Sequence, residues 1–474
     1  MIEVRLIGHD GFYGISDVLR LFFGNVKEDR EARRVHSESE DDLRIISEAG
    51  DGVVTYVEGE KDLWEKTLAK RFPESIETKR EIKRQLYFLL SKKTGKEFPW
   101  GSLTGIRPTV VAKEVGTAEK LISDYMVRPD KAKLCITTKD NEEKILGLTD
   151  EASMNVYIGV PFCPSRCAYC SFVSEEISHH LGRLGEYAKA LKDEIAYVGP
   201  RIRKLASLYV GGGTPTVFED EDFSKVMRAI KEYMPIDGKT EITVEAGRPD
   251  TITDGKLQAM KEIGVQRICI NPQTLCDETL RRFNRKHTVD EFYSVFEKAR
   301  KMGFEIINTD LIAGLDKEPE ELLRSVQGLL ELRPENITIH TLYKKRRAAL
   351  SKAEVLSGDD RLDEVLRKAY QMLECRGYKP YYMYRQKDTS HGLENVGFAL
   401  QGMECVYNVA MMTDRRNVIA LGAGSVSKRI YGGGRFERFS SPKDVLIYIR
   451  DHEEVAKRKV EFFEDGVEDE VSEM

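Results

Sequence analysis

Three cysteines, Cys163, Cys167 and Cys170, fall within eight residues in the run VPFCPSRCAYCSF, with the spacing C-x3-C-x2-C. Thiolates so arranged are soft ligands, suited to an iron–sulfur cluster or to zinc. A cubane cluster has four irons, so three cysteines leave one iron open to chelate a small molecule. A structural zinc site needs four closed ligands. His179 and His180 could supply a fourth, but the second C-x2-C or histidine pair that usually completes such a site is missing from the sequence. Three buried core thiols are the remaining alternative, and a Pro-Phe-Cys-Pro turn followed by arginine makes a poor core strand. The spacing therefore favours a cluster.

Other residues capable of chemistry recur where short β-rich runs end. Gly211-Gly212-Gly213-Thr214-Pro215 exposes backbone amides and carbonyls, which suits a charged amino-acid head group, although a glycine turn alone is often only a turn. Glu245 ends one run and Asp310 sits in another. Either carboxylate alone would read as a helix cap or an ion pair; together they can hold an ammonium or ribose hydroxyls. Gln273 and Arg285 flank the stretch after a further run, and Arg285 suits a ligand carboxylate. It is the occurrence of this set at successive strand ends that argues for a site.

The elements that must position these residues are legible. Between about 155 and 345, the runs VYIGV, SLYVG, EITVE, RICIN, INTDLI and ITIHTL alternate with amphipathic segments such as 186–198 and 320–332. Such alternation predicts an α/β fold with a parallel sheet, and six units suit a partial (β/α)6 barrel. In parallel barrels the chemistry lies at the C-terminal strand ends. Residues 1–150 predict a separate N-terminal α/β accessory domain, with strands at 4–7 and 53–57 and helices at 15–23 and 79–90. The turn-rich stretch 97–114 reads as a packed connector rather than a docking surface. The core is expected over 151–385, with a helix at 360–375 and a strand at 381–385. A smaller C-terminal region, 386–474, holds the Gly-rich turns GLENVGF, GAGS and GGGR and is expected to pack over the barrel mouth.

Composition narrows the class. The 474 residues are 41% apolar and 32% charged, with a net charge of −6. That is an ordinary globular balance with no general basic field for nucleic acid. No apolar run of about 18 residues predicts a membrane span, and the N-terminus does not read as a signal peptide. The other five cysteines, Cys135, Cys269, Cys276, Cys375 and Cys405, are scattered, so a disulfide scaffold is not expected and the cytoplasm is.

The segments YIGVPFCPSRCAYCSF, VGGGTPT, VEAGRPDT, NPQTLCDETLRRFNR and NTDLIAGL resemble the radical S-adenosylmethionine (SAM) superfamily, and within it the oxygen-independent coproporphyrinogen III oxidase group. YYMYRQKDTSHGLENVGF, GAGSVSK and the extra N-terminal domain resemble the HemZ-type coproporphyrinogen dehydrogenase branch. The resemblance implies a radical SAM oxidoreductase of haem biosynthesis, with a [4Fe–4S] cluster on Cys163, Cys167 and Cys170. It implies that Tyr157 and Tyr169 lie against the cluster and cofactor, and that Gly212, Gly213, Thr214, Glu245, Gln273, Arg285 and Asp310 bind SAM. A tetrapyrrole substrate and a flavodoxin or ferredoxin electron donor follow in the same way. Arg248, Lys344, Lys345, Arg346, Arg347 and Arg385 are candidate partners for substrate propionates. In two places the chain departs from the better-known members of the group: Phe172 stands where they have a fourth cysteine, and Gly159 where they have a histidine. Haem chaperones on the same fold also carry phenylalanine at the first of these positions. Their His-, Tyr- and Trp-containing haem segment near the end of the core has no counterpart here, since the two tryptophans are Trp64 and Trp100. Action on another tetrapyrrole is a further alternative.

Overall fold

The computed structural model describes residues 1–40, 42–59, 63–67, 76–170, 174–179, 182–342, 361–386, 392–431 and 435–464. The chain forms two units, Met1–Lys139 with Tyr384–Glu394, and Asp140–Met383 with Asn395–Met474.

In the first unit, β1 (Ile2–Ile7) leads into α1 (Phe12–Phe23). There follow β2 (Val26–Asp29), β3 (Arg34–Ser37), β4 (Leu43–Ala49), β5 (Gly52–Val57), β6 (Leu63–Thr67) and α2 (Ile76–Thr94). The strands form one sheet in the order β2-β3-β1-β4-β5-β6, with β1 and β4 parallel. Strict alternation along β1 and β5 turns Val4, Leu6, Val53 and Val57 to one face. There they meet Ile15, Val18 and Leu19 of α1 and Ile82, Leu86 and Leu90 of α2 in a single core. Short helices α3 (Pro108–Val115) and α4 (Ala118–Tyr125) precede α5 (Pro129–Gly147). Within the 97–114 stretch, residues 99–103 are buried, Ile106 and Val110 are exposed, and the second half forms α3. Trp100 is buried, and its indole N–H donates to Glu394 at 2.7 Å, which also pairs with buried Lys131 at 2.6 Å.

The second unit contains the six expected β-rich runs as β7 (Met154–Val160), β10 (Leu205–Gly212), β11 (Glu241–Glu245), β12 (Arg267–Cys269), β13 (Ile306–Ala313) and β14 (Asn336–Thr341). The short pair β8 (Phe162–Cys163) and β9 (Glu175–Glu176) lies between the first two. The six strands lie side by side in chain order and all parallel. The intervening helices are α6 (Leu184–Val198), α7 (Asp220–Tyr233), α8 (Asp254–Glu262), α9 (Asp277–Arg282), α10 (Val289–Lys301) and α11 (Glu321–Leu332). Their starts are chemically marked: α10 has a full capping box, Thr288 with Glu291, and α7 opens with Asp220, Glu221 and Asp222.

The two faces of this sheet differ. Ile158, Val160, Leu208, Val210, Ile242, Val244, Ile268, Ile307 and Ile337 are buried on one, as covering helices require. The period of two puts Tyr157, Gly159, Tyr209, Gly211, Glu245, Cys269 and Asp310 on the other. Its lower end is closed by buried Arg267, which donates to Glu241, Asn308 and the Met403 and Glu404 carbonyls.

The C-terminal third departs from expectation. After α12 (Arg361–Cys375) come β15 (Lys379–Arg385), β16 (Glu394–Ala399), α13 (Val406–Thr413), β17 (Val418–Leu421), β18 (Val426–Ile430), β19 (Phe436–Ser440) and α14 (Val445–Glu464). All five strands join the core sheet, giving the order β15-β16-β14-β13-β12-β11-β10-β7-β17-β18-β19. Residues 386–474 are therefore not a separate region. They extend both edges of the sheet, and 384–394 groups with the N-terminal unit, whose main segment ends at Lys139 rather than near 150. The cause is edge chemistry: β7 and β14 each present a row of unpaired amides and carbonyls, which β17 satisfies in parallel and β16 in antiparallel fashion.

Helix α14 anchors this return. Lys459 is fully buried and paired with buried Glu194 of α6, which also accepts from the Tyr448 hydroxyl at 2.6 Å and the Gly422 amide at 2.8 Å. Replacing Lys459 by Met strands a buried carboxylate, and breaking such a pair costs about 3–5 kcal/mol. A clear fall in the denaturation midpoint is expected, with partial recovery in Lys459→Met/Glu194→Gln, read by urea titration.

Candidate functional site at the C-terminal strand ends

The site begins with a close approach of two strand ends. The amide of Gly213 donates to the Val160 carbonyl at 2.8 Å. Gly212 has a φ of +123°, and a Cβ there would lie 2.6 Å from the Val160 oxygen. A Cβ on Gly213 would lie 2.5 Å from the Phe162 oxygen and 2.9 Å from Cys163 Sγ. A Cβ on Gly211 would lie 2.8 Å from a Glu245 carboxylate oxygen. Only glycine allows this contact of backbone, thiol and carboxylate.

The cysteine loop leaves β8 beside this contact. Thr214 donates its hydroxyl to Cys163 Sγ at 3.6 Å, and burial pushes the Cys163 thiol up. The Cys170 amide donates to the Cys167 carbonyl at 3.0 Å, folding the loop back on itself. Two guanidinium groups reach Cys167 Sγ, Arg248 Nη1 at 3.7 Å and Arg285 Nη1 at 3.9 Å. Arg285 Nη1 also donates to the Tyr169 oxygen at 3.4 Å, and Nη2 to the Gly247 carbonyl at 2.6 Å and to the Asn271 carbonyl. Tyr169 packs edge-on against Phe283 at 5.8 Å.

Carboxylates gather on the adjoining strands. Glu245 ends β11, and burial, together with the nearby Asp310 charge, pushes its carboxyl up to about 8 despite hydrogen bonds from the Gly212 amide and Tyr209. Asp310 Oδ2 lies 3.7 Å from His340 Nε2. Gln273 takes a φ of +70°, unusual outside glycine. It is held there by its amide donating to the Asp310 carbonyl and its carbonyl accepting from Ile312, each at 2.9 Å. Its side-chain oxygen is buried without a partner, as is that of Asn271. Buried polar atoms left unpaired beside strained backbone are a mark of a ligand site. Tyr157 stacks with Tyr209 at 6.3 Å and with Tyr407 at 6.0 Å, and burial raises its hydroxyl well above the usual tyrosine range.

A cavity of 190 Å³ opens beside Tyr157, bounded by Gly159, Pro161 and Gly212 and by Ala423, Gly424 and Ser425. The GAGS turn thus belongs to the site, although it lies some 250 residues beyond the cysteines. Tyr187 fixes it, donating to the Gly159 carbonyl at 2.7 Å and accepting from the Ala423 amide at 3.0 Å, while Glu194 holds Gly422.

The three cysteines and the residues expected to meet SAM thus gather on one face of the sheet and in the loops that follow its strands. Two of the cations expected to meet propionates do not. Arg248 is only 3% exposed, locked to Asp250 and turned toward Cys167. Arg385 is buried within the N-terminal unit, against the Leu103 and Gly392 carbonyls and over Trp100. Burial of a chain-internal contact, invisible in a local run of basic residues, removes both. Lys344, Lys345, Arg346, Arg347 and Phe172, and the side chains of His179, His180 and Trp64, lie outside the described residues. The residues not anticipated are Tyr209, Tyr407 and Ala423–Ser425. The two tyrosines could have been found from strand alternation and the aromatic start of α13.

Among the described residues, no three His, Cys, Asp or Glu side chains close on a single metal ion. A cubane takes one thiolate per iron and accommodates thiols spread along a loop. The two orphaned amide oxygens, the glycine cradle and the Glu245–Asp310 pair also fit an amino-acid nucleoside beside it.

This arrangement defines a radical SAM protein, and the family model for the radical SAM superfamily matches residues 157–328. Members of that superfamily use a [4Fe–4S] cluster and SAM. The chain belongs, more closely, to the oxygen-independent coproporphyrinogen-III oxidase-like family. It is 35% identical over 399 residues to the oxygen-independent coproporphyrinogen-III oxidase-like protein HemZ of Bacillus subtilis, covering 79% of each chain. It is 28% identical to the heme chaperone HemW of Haemophilus influenzae, over 63% of this chain and 76% of that one. Among solved structures, coproporphyrinogen III oxidase (HemN) from Escherichia coli shares the fold, with a TM-score of 0.53 at 21% identity over 66% of this chain and 72% of that one.

Two predictions follow from the geometry. Gly213→Ala places a methyl group against Cys163 Sγ, so the reconstituted protein should lose most of its iron, as measured by colorimetric iron and sulfide content. Glu245, with a folded value of about 8 against an ordinary 4.5, favours the protonated fold. The stability it contributes is complete below about 4.5 and is lost as pH rises through about 8. Glu245→Gln should flatten that decline in the thermal midpoint of the ligand-free protein across this window.

Proposed function

We propose that the chain is a radical SAM oxidoreductase that decarboxylates two propionates of coproporphyrinogen III to vinyl groups, giving protoporphyrinogen IX in haem biosynthesis. The observation that carries the reading is the 35% identity, over 79% of both chains, to a coproporphyrinogen-III oxidase-like protein. Each propionate gives up one hydrogen atom, one carbon dioxide and one electron, and a carbon–carbon double bond remains. When bound, the cluster and SAM supply the hydrogen-abstracting radical.

The chain's own residues do the rest. Cys163, Cys167 and Cys170 would hold the cluster. Gly212, Gly213 and Thr214 would present backbone groups and a hydroxyl to the amino-acid end of SAM, and Arg285 would meet its carboxylate. Glu245 and Asp310 would receive its ammonium or ribose hydroxyls, and Gln273 would use its orphaned oxygen. Tyr157 and Tyr169 would close the sides and exclude water. A carboxyl raised to about 8 by burial and by the Asp310 charge would gain from a nearby cation, which would restore its charge. The electron for the cluster would come from a flavodoxin or ferredoxin. A reducing cytoplasm would suit a cluster held by thiolates; no described helix is long and apolar enough to cross a membrane.

A haem chaperone on the same fold is the second reading, favoured by the 28% identity to HemW. The test is anaerobic: reconstituted protein, SAM, dithionite and coproporphyrinogen III, followed by liquid chromatography and mass spectrometry. The oxidase reading expects 5′-deoxyadenosine and stepwise loss of two carboxyl groups, both abolished in Cys167→Ala. Deoxyadenosine with an untouched porphyrinogen would point to another tetrapyrrole, such as haem. No turnover from a well-loaded protein that binds haem tightly would favour the chaperone.

A further inference from the structure

Arg248 is buried for no purpose the SAM site explains. It follows β11 in the run EAGRPD, with only 3% of its surface exposed. Asp250 grips it in a two-pronged fork, Nε to Oδ1 at 2.9 Å and Nη2 to Oδ2 at 2.8 Å. That fork fixes the guanidinium plane and leaves Nη1 as the one nitrogen free to point elsewhere. Nη1 points into the cysteine loop, reaching the Ser165 carbonyl at 3.3 Å, the Ser165 hydroxyl at 3.2 Å and Cys167 Sγ at 3.7 Å. Arg285 Nη1 also reaches this sulfur, at 3.9 Å. At Cys163 the direct donors are the neutral hydroxyls of Thr214 and Ser174, and the Arg248 charge acts there only as a weaker influence.

A charge so placed acts on redox chemistry. Adding one electron to a cluster held by three thiolates deepens an already negative site. A fixed guanidinium beside one of the sulfurs favours the reduced form, and hydrogen bonds to sulfur act in the same direction. Burial keeps the effect from being screened by solvent. Asp250 balances the charge overall but stands behind the guanidinium, so the cation faces the sulfur.

We infer that Arg248, held by Asp250, is a positioning residue that acts through Cys167 to raise the reduction potential of the cluster. It is therefore not a propionate partner. The inference rests on Cys167 being a cluster ligand. That premise is tested separately: if Cys167→Ala keeps a full cluster, the ligand assignment has failed, whatever Arg248 does.

The experiment is a redox titration of the reconstituted, SAM-free holoprotein, monitored by electron paramagnetic resonance, so that the binding role of Arg285 does not enter. Arg248→Met should hold its cluster but be at least tenfold harder to reduce, a midpoint about 59 mV lower for one electron. Arg248→Lys, which keeps the charge and loses the fork, should fall between Met and wild type. Asp250→Asn, which keeps the guanidinium and removes its counter-charge, should not fall below wild type. A merely structural role predicts lost iron without a shift in midpoint. An Arg248→Met midpoint within twofold of wild type in the reduction equilibrium would overturn the inference. If that variant fails to load, a lysine variant with an unchanged midpoint, or an asparagine variant with a lowered one, would overturn it equally.

Discussion

The site depends on one steric fact: the end of β10 lies against the end of β7 with no side chain between them. Gly213 donates to Val160, and any Cβ on Gly212 or Gly213 would strike the backbone of 160–162. This approach brings Cys163 to the strand ends at all, since its loop departs from β8 at that contact. It also sets Gly211 against Glu245, so the thiol side and the carboxylate side of the site share one wall. A larger residue at any of the three positions would part them.

Charge is distributed unevenly around that wall. Guanidinium groups crowd Cys167, while the neighbouring strands carry Glu245 and Asp310. A zwitterionic nucleoside laid across the site would meet cation with carboxylate at one end and carboxylate with ammonium or hydroxyl at the other. Burial and the charge of Asp310 favour a proton on Glu245, and the buried side-chain oxygens of Gln273 and Asn271 have no hydrogen-bond partner. The polarity is affordable because the opposite face of the sheet is almost entirely aliphatic.

The C-terminal chain is structural and functional together. By adding strands to both edges, it satisfies the ladder groups that a six-stranded sheet would leave open. In doing so it delivers the Gly422–Ser425 turn to the cavity beside Tyr157. Gly159 is the floor of that arrangement: a Cβ there would meet the Tyr157 ring at 3.1 Å and the Leu421 carbonyl at 3.3 Å, so a side chain needs both to give by a few tenths of an ångström.

Local signals determined much of this protein. The cysteine spacing, the glycine run, and Glu245, Gln273, Arg285 and Asp310 were legible because each belongs to a short motif within or soon after a β-rich run. The six parallel strands were legible because β–α alternation has few other solutions. Only the tertiary structure decided where the rest of the chain goes. Whether β16 and β17 cap the core or join it depends on open sheet edges, which have no residue signature. Whether Arg248 and Arg385 face solvent or interior depends on partners that fold around them, Asp250 and Cys167 for one, the Leu103 and Gly392 carbonyls for the other. A sequence records which groups are charged; burial and pairing are properties of the assembled fold.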